Sequence, residues 1–204
     1  EPGVDLALLK KFGVVASLAS LGIVGAYVGA ESLRERGAGE VLAYGVRWVC
    51  GGIGFLALFE TIDVGSRLAY ARMGIVYPPI NRQPWRSKTL DEFWGRRWNT
   101  VVGGWFRRHL FAPLARRGHP RWGMAASFLA SVLMHLWTVA QPAGATFLLP
   151  MGAFFALQGL FTMLERPLRV RYWSAAKGRA WTLGIIALTS PLFVEPMLTI
   201  FDFL

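Results

Sequence analysis

Gly123-Met-Ala-Ala-Ser-Phe-Leu-Ala-Ser-Val-Leu-Met-His-Leu-Trp-Thr-Val-Ala-Gln141 holds nineteen residues without a permanently charged side chain, and His135 is its one titratable group. A helix of about 20 apolar residues crosses the hydrocarbon core of a bilayer, so this stretch reads as a transmembrane helix. An ionisable side chain in lipid is costly and marks a wet cavity or a reaction path, which makes His135 a functional residue by expectation. With helical rise it sits about 18 Å from the start of its span, past the midplane.

The pattern repeats on either side. Phe12 to Ala30 and Ala143 to Leu164 are uncharged, whereas Val41 to Ile62 carries Arg47 and Glu60, and Trp181 to Phe203 carries Glu195 and Asp202. With 54% apolar residues and 14% aromatics, the chain reads as an all-α, multi-pass membrane protein of five spans, at about 6–30, 41–62, 123–141, 145–164 and 181–203. Residues 1–204 form a single membrane domain in this reading, with a cytoplasmic loop and an amphipathic interfacial helix at 63–122. The first span is too long, and lacks the flanks, for a cleaved signal peptide. Cys50 is the lone cysteine, which rules out an internal disulfide and fits a small packing residue.

A net charge of +10 raises the question of nucleic acid, but the positions of the charges answer it differently. Of the 22 Lys and Arg residues, two precede the first span, twelve lie between Gly65 and Trp122, and five lie between Glu165 and Trp181. Five crossings put all these segments on one side, with the N-terminus in the cytoplasm. The charge is therefore a topology signal and a lipid-headgroup surface, and no nucleic-acid partner is expected. Richness in Ala, Gly and Arg suits a bacterial inner membrane.

Tyr77-Pro-Pro-Ile-Asn-Arg-Gln-Pro-Trp-Arg86 interrupts the helical pattern, because its prolines forbid a regular helix. Thr89-Leu-Asp-Glu92 then has the capping-box spacing. Leu90, Phe93, Trp94, Trp98, Val101, Val102, Trp105, Phe106 and Leu110 recur at three and four, predicting one amphipathic helix at the membrane surface. Arg96, Arg97, Arg107 and Arg108 mark its basic side. Asn99 falls between Gly95 and Gly103 at spacings of four, a polar amide in a stripe of small residues where a helix or a substrate can come close.

These residues carry a resemblance. Ser87 through Leu114, with Glu92-Phe-Trp-Gly-Arg-Arg-Trp-Asn99 at its centre and His135 following 36 positions later, is similar to the signature of membrane-bound O-acyltransferases, above all the wax-synthase-like branch. The similarity runs from about Pro84 to Pro167 and includes the pattern Ser190 to Phe193. It implies transfer of an acyl group from acyl-CoA to a hydroxyl inside a membrane tunnel, with His135 as catalytic base and Asn99 as its polar partner. Neutral imidazole, with an ordinary pKa near 6.5, suits the first role. An amide can orient a substrate or steady an oxyanion, but cannot serve as the base. The basic loop, besides its topology and headgroup readings, also offers a docking site for the phosphates of CoA, for which Arg96, Arg97, Arg107 and Arg108 are the expected residues, and with Trp98 they make the expected substrate-binding side.

No metal-ligand cluster, phosphate-binding glycine loop or nucleophile triad occurs, so no tightly bound cofactor is expected beyond acyl-CoA as donor substrate. The expected partners are membrane lipids and a lipophilic alcohol acceptor. Leu136 stands where wax-synthase-like members often have an acidic residue, and five spans are fewer than the family usually has. Further N-terminal helices, another membrane subunit or a smaller design would then complete the tunnel. Two other readings stay open at this point: a non-catalytic scaffold subunit of a membrane complex, and an O-acyltransferase acting on a cell-envelope polysaccharide.

Overall fold

The computed structural model describes residues 5–143 and 145–201, and the side chains of all of these except 141–143. Every regular element among the described residues is helical, and the chain divides into two compact units, Glu1–Pro79 and Ile80–Leu204. Four helices are long and apolar enough to cross a membrane. A fifth span results when a bent pair near the C-terminus is counted as one. The expectation of an all-α, multi-pass protein therefore holds, with four or five candidate spans among the described residues.

In the first unit, α1 (Leu6–Glu35) and α2 (Glu40–Arg72) pair as neighbours. Ala19, Gly22, Ala26 and Ala30 recur at three and four and are buried together with Ala43, Gly51 and Gly54 of α2. A Cβ added at Gly22 would meet Gly54 Cα at 2.5 Å, and one at Gly54 would meet the Ile23 nitrogen at 2.9 Å, so backbone lies directly on backbone. Close approach through small residues is how helices associate in lipid, where hydrophobic burial gives no net drive. Cys50 packs in the same seam, against Gly25. Arg47, inside the second span, sits over the Tyr27 ring at 4.9 Å from its centre, and Lys11 pairs with Glu60. The second helix runs ten residues past the expected end at 62. No Pro occurs from Asp63 to Arg72 and the helix runs through Gly65, and at about 1.5 Å per residue its 33 residues exceed a 30 Å core, leaving charged turns beyond it.

In the second unit, α3 (Pro120–Ala143) and α4 (Leu148–Leu164) form an antiparallel pair, followed by α5 (Ala175–Thr189) and α6 (Pro191–Phe201). Val139, Met151, Phe154 and Phe155 make the core, with Trp94, Val132, Phe193 and Met197 packed around it. The expected span at 181–203 is not one straight helix: α5 and α6 meet at 46°. Pro191 has no N–H to continue the ladder, and the Ser190 hydroxyl donates instead to the Ala187 carbonyl at 2.8 Å. Residues 202–204 lie outside the described residues.

The single amphipathic helix expected through Leu110 is also corrected. Leu90–Glu92 passes into a π turn at Phe93–Arg97, the chain breaks at Trp98 and Asn99, and a new helix starts at Thr100–Phe106. A second π turn, Arg107–Phe111, leads into Ala112–Arg116. Two glycines let this segment dock. A Cβ at Gly123 would meet the Phe111 carbonyl oxygen at 2.8 Å, and one at Gly178 would meet that of Lys88 at 2.6 Å.

Candidate active site

The start of the motif is capped from two directions. The first N–H groups of a helix lack partners within it. Here Glu92 N–H donates to the Thr89 hydroxyl at 3.0 Å, while Leu90 and Asp91 N–H donate to the carboxylate of Glu165, at 2.6 and 3.1 Å. The Trp181 indole N–H donates to the same carboxylate at 3.1 Å. Glu165 is buried one residue past the end of α4. Burial pushes its carboxyl above the ordinary range, and the donors from Leu90, Asp91 and Trp181 offset only part of that. The capping box is thus half formed: the Glu92 carboxylate accepts from Lys88 N–H at 2.8 Å, not from Thr89.

At the break, Asn99 takes a left-handed conformation, φ 39° and ψ 63°, which Asn tolerates better than most residues. Its Oδ1 accepts from Val102 N–H at 3.2 Å, so Asn99 is the N-cap of the new helix. The Pro-rich segment before the motif holds the break in place. Arg82 N–H donates to the Arg97 carbonyl at 2.7 Å, Asn99 N–H to Asn81 Oδ1 at 3.0 Å, and Thr100 N–H to the Ile80 carbonyl at 2.8 Å. Arg97 closes the turn, its Nε and Nη2 both 2.7 Å from Glu92 Oε1 and its Nη1 donating to the Arg82 carbonyl at 3.1 Å. Burial opposes the charge on Glu92, but Lys88 N–H and Arg97 outweigh it and hold the carboxyl below its ordinary value.

His135 is half-buried on α3. Its Nδ1 lies 2.7 Å from the Ser131 carbonyl oxygen, one turn earlier. A carbonyl can only accept, so Nδ1 carries the proton and the neutral ring keeps its lone pair on Nε2. The ring stacks on Phe155 of α4, with centroids 3.8 Å apart. Leu136 fills the space beside Gly152 of α4, its Cδ2 3.3 Å from where a Cβ would stand.

Asn99 and His135 make no hydrogen bond to each other among the described contacts. A chain of aromatic contacts leads from one to the other: Trp98 beside Asn99 meets Trp94 edge-on at 6.4 Å, Trp94 meets Phe155 at 6.1 Å, and Phe155 carries His135. Trp98 also stacks on Phe93 at 5.7 Å. Arg96, Arg107 and Arg108 are exposed, whereas Arg97 is partly buried in its pair with Glu92. Sequence reasoning missed the buried relay that holds Trp94. Its indole N–H donates to Gln158 Oε1 at 3.1 Å, and Gln158 Nε2 donates to the Thr189 hydroxyl at 2.7 Å. An amide within the uncharged run 143–164 was the available signal. Asn81 and Glu165 gave none, because their partners are distant in sequence.

Residues 77–157 match the profile described as the Membrane bound O-acyl transferase family. The chain is 28% identical over 164 residues to "Probable long-chain-alcohol O-fatty-acyltransferase 3" of Arabidopsis thaliana, covering 71% of this chain and 46% of that protein. It is 29% identical over 165 residues to "Long-chain-alcohol O-fatty-acyltransferase" of Simmondsia chinensis, covering 71% and 45%. Over a shorter stretch of 87 residues it is 33% identical to "Diacylglycerol O-acyltransferase 1" of Bos taurus, covering 42% and 15%. The chain spans about half the length of the long-chain-alcohol relatives it matches. No solved structure matches it. The matched region contains the capped motif, Asn99, His135 and Phe155, so it is residues 77–157 that carry the likeness to the membrane-bound O-acyltransferase family, and the long-chain-alcohol O-fatty-acyltransferases are similar to the chain over 71% of its length.

Proposed function

We propose that this chain carries the reaction centre of a membrane O-acyltransferase that moves a fatty acyl group from acyl-CoA to the hydroxyl of a lipophilic alcohol. The observation that supports this most is the 2.7 Å contact of His135 Nδ1 with the Ser131 carbonyl oxygen. With Nδ1–H tied to the Ser131 carbonyl, Nε2 is the basic nitrogen, and a base is what a weakly nucleophilic hydroxyl needs.

In this reading Nε2 takes the hydroxyl proton as the alcohol oxygen bonds to the thioester carbonyl carbon. The tetrahedral oxyanion then collapses, the C–S bond breaks, and the departing CoA thiolate takes the proton back from the imidazolium. Acyl ester and free CoA result, and the histidine returns to its starting form. Asn99 has committed Oδ1 to its own helix, so it would meet the oxyanion through Nδ2, a donor of the required polarity. Trp98 would border the acyl path. Arg96, Arg107 and Arg108 would receive the CoA phosphates, with Arg97 shaping the turn that presents Arg96. Basic residues at one end of the spans would then face the cytoplasm, as would the N-terminus.

The test is transfer of radiolabelled acyl groups from long-chain acyl-CoA to a panel of lipid alcohols by the purified chain in a bilayer, with His135→Ala alongside. Ester formed by the wild type and reduced about 10²- to 10⁴-fold in the variant is the expected result. Absence of ester from the folded wild type with every donor and acceptor overturns the proposal.

A further inference from the structure

A cleft of about 560 Å³ opens where α3 begins and α4 ends, away from His135. Its walls include Phe111, Met124, Met163 and Leu164, and Arg121 and Arg166 also line it. Gly123 lets the Phe111 backbone lie against α3, so the wall at this end is tightly docked. Both arginines are exposed, and neither side chain has an ion pair or hydrogen bond among the described residues. Residues 107–121 contain no acidic side chain, and Glu165 is the one acid in 162–171. That carboxylate is turned away, toward Leu90, Asp91 and Trp181, and neutralises neither arginine.

The cleft thus combines hydrocarbon walls running along two candidate spans with uncompensated positive charge at the level where those spans end. A free phosphate would leave the walls wet, and a bare hydrocarbon would leave the arginines unused. An amphiphile with a phosphate at its neck satisfies both parts, and basic pockets between membrane helices favour anionic headgroups. The first turn of α3 adds the positive end of a 24-residue helix.

We propose that this cleft holds one anionic phospholipid, its acyl chain against Phe111, Met124, Met163 and Leu164 and its phosphate drawn to Arg121 and Arg166. The inference stands on the cleft and its charge, and is independent of the reaction proposed above.

Native mass spectrometry of the full chain in neutral detergent, titrated with phosphatidylglycerol and phosphatidylcholine of identical acyl chains, tests it. The expected result is saturable retention of one phosphatidylglycerol in preference to phosphatidylcholine. Arg121→Ala with Arg166→Ala should weaken phosphatidylglycerol about 30-fold, taking about 1 kcal/mol for each arginine. Arg121→Lys with Arg166→Lys, which keeps the charge, should preserve the preference, as should the remote control Lys177→Ala with Arg179→Ala. Met124→Trp should weaken both lipids by filling the floor. Equal retention of the two lipids, or a preference unchanged in the double alanine variant, overturns the proposal. Displacement of phosphatidylglycerol by equimolar palmitoyl-CoA also overturns it, by assigning the cleft to an acyl donor.

Discussion

At Asn99 the backbone and the proposed chemistry would draw on different atoms of one amide: the cap of the new helix uses Oδ1, and an oxyanion would use Nδ2. Substitutions separate the two. Asn99→Asp keeps a capping oxygen and a residue type that accepts positive φ, so thermal unfolding should stay within a few degrees of wild type. It removes the donor, and acyl transfer should drop about 10²- to 10³-fold. Asn99→Gly should behave similarly, losing only a few tenths of a kcal/mol of capping. Asn99→Ala loses the cap and strains the turn, and should destabilise by about 1–3 kcal/mol. Full activity in a well-folded Asn99→Asp would remove Asn99 from the chemistry. His135 was legible in sequence because a titratable group in an uncharged run stands out without any structure. The fork in the role of Asn99 was not. Apolar spacing continues from Leu90 to Leu110 as if the helix were unbroken, and the three hydrogen bonds that fix the break come from Ile80, Asn81 and Arg82, upstream of the periodic segment. Leu136, where the resemblance leads us to expect an acidic residue, packs against Gly152.

Among elements, the motif helix depends on a carboxylate that sits 75 residues from the N–H it receives. Burial favours the protonated form of Glu165 in the folded chain, so the folded state binds more protons than the unfolded one between the ordinary carboxyl value of 4.5 and the raised one. Stability contributed at this site therefore falls as pH rises through that window. Thermal unfolding of the full chain in neutral detergent, followed from pH 4.5 upward, should show this slope, and Glu165→Gln should flatten it. Glu165→Ala should destabilise at every pH, by about 1–3 kcal/mol for each donor left without an acceptor. An unchanged slope in Glu165→Gln would show that another group sets the pH response. The Thr89 half of the cap was readable from four consecutive residues. The Glu165 half was not, since a carboxylate just past an apolar span looks like an ordinary end-of-helix charge. Pro191 is a helix breaker in plain view, yet the apolar residues on both sides masked the bend as one span.

Across the whole chain, the multi-pass helical class was legible because lipid imposes a length and a polarity that composition records directly. The length of α2 was less so, since a helix that leaves the hydrocarbon keeps its form while its residues turn polar. The way the helices approach one another was hidden, because a glycine in a sequence does not announce what lies opposite it. That last property has a consequence for which sequences the fold admits. At Gly22, Gly54, Gly123 and Gly178 the space for a Cβ is already taken by backbone atoms within 3.0 Å, whereas at Gly13, Gly45, Gly104 and Gly184 nothing lies within 4 Å. In a saturation library scored by surviving folded protein, tolerance should be discontinuous along the chain. The first four columns should retain glycine alone, and the second four should accept alanine and larger apolar residues at little loss. The allowed variation of this protein would then be set by a few points of contact, with most of its lipid-facing surface free to drift.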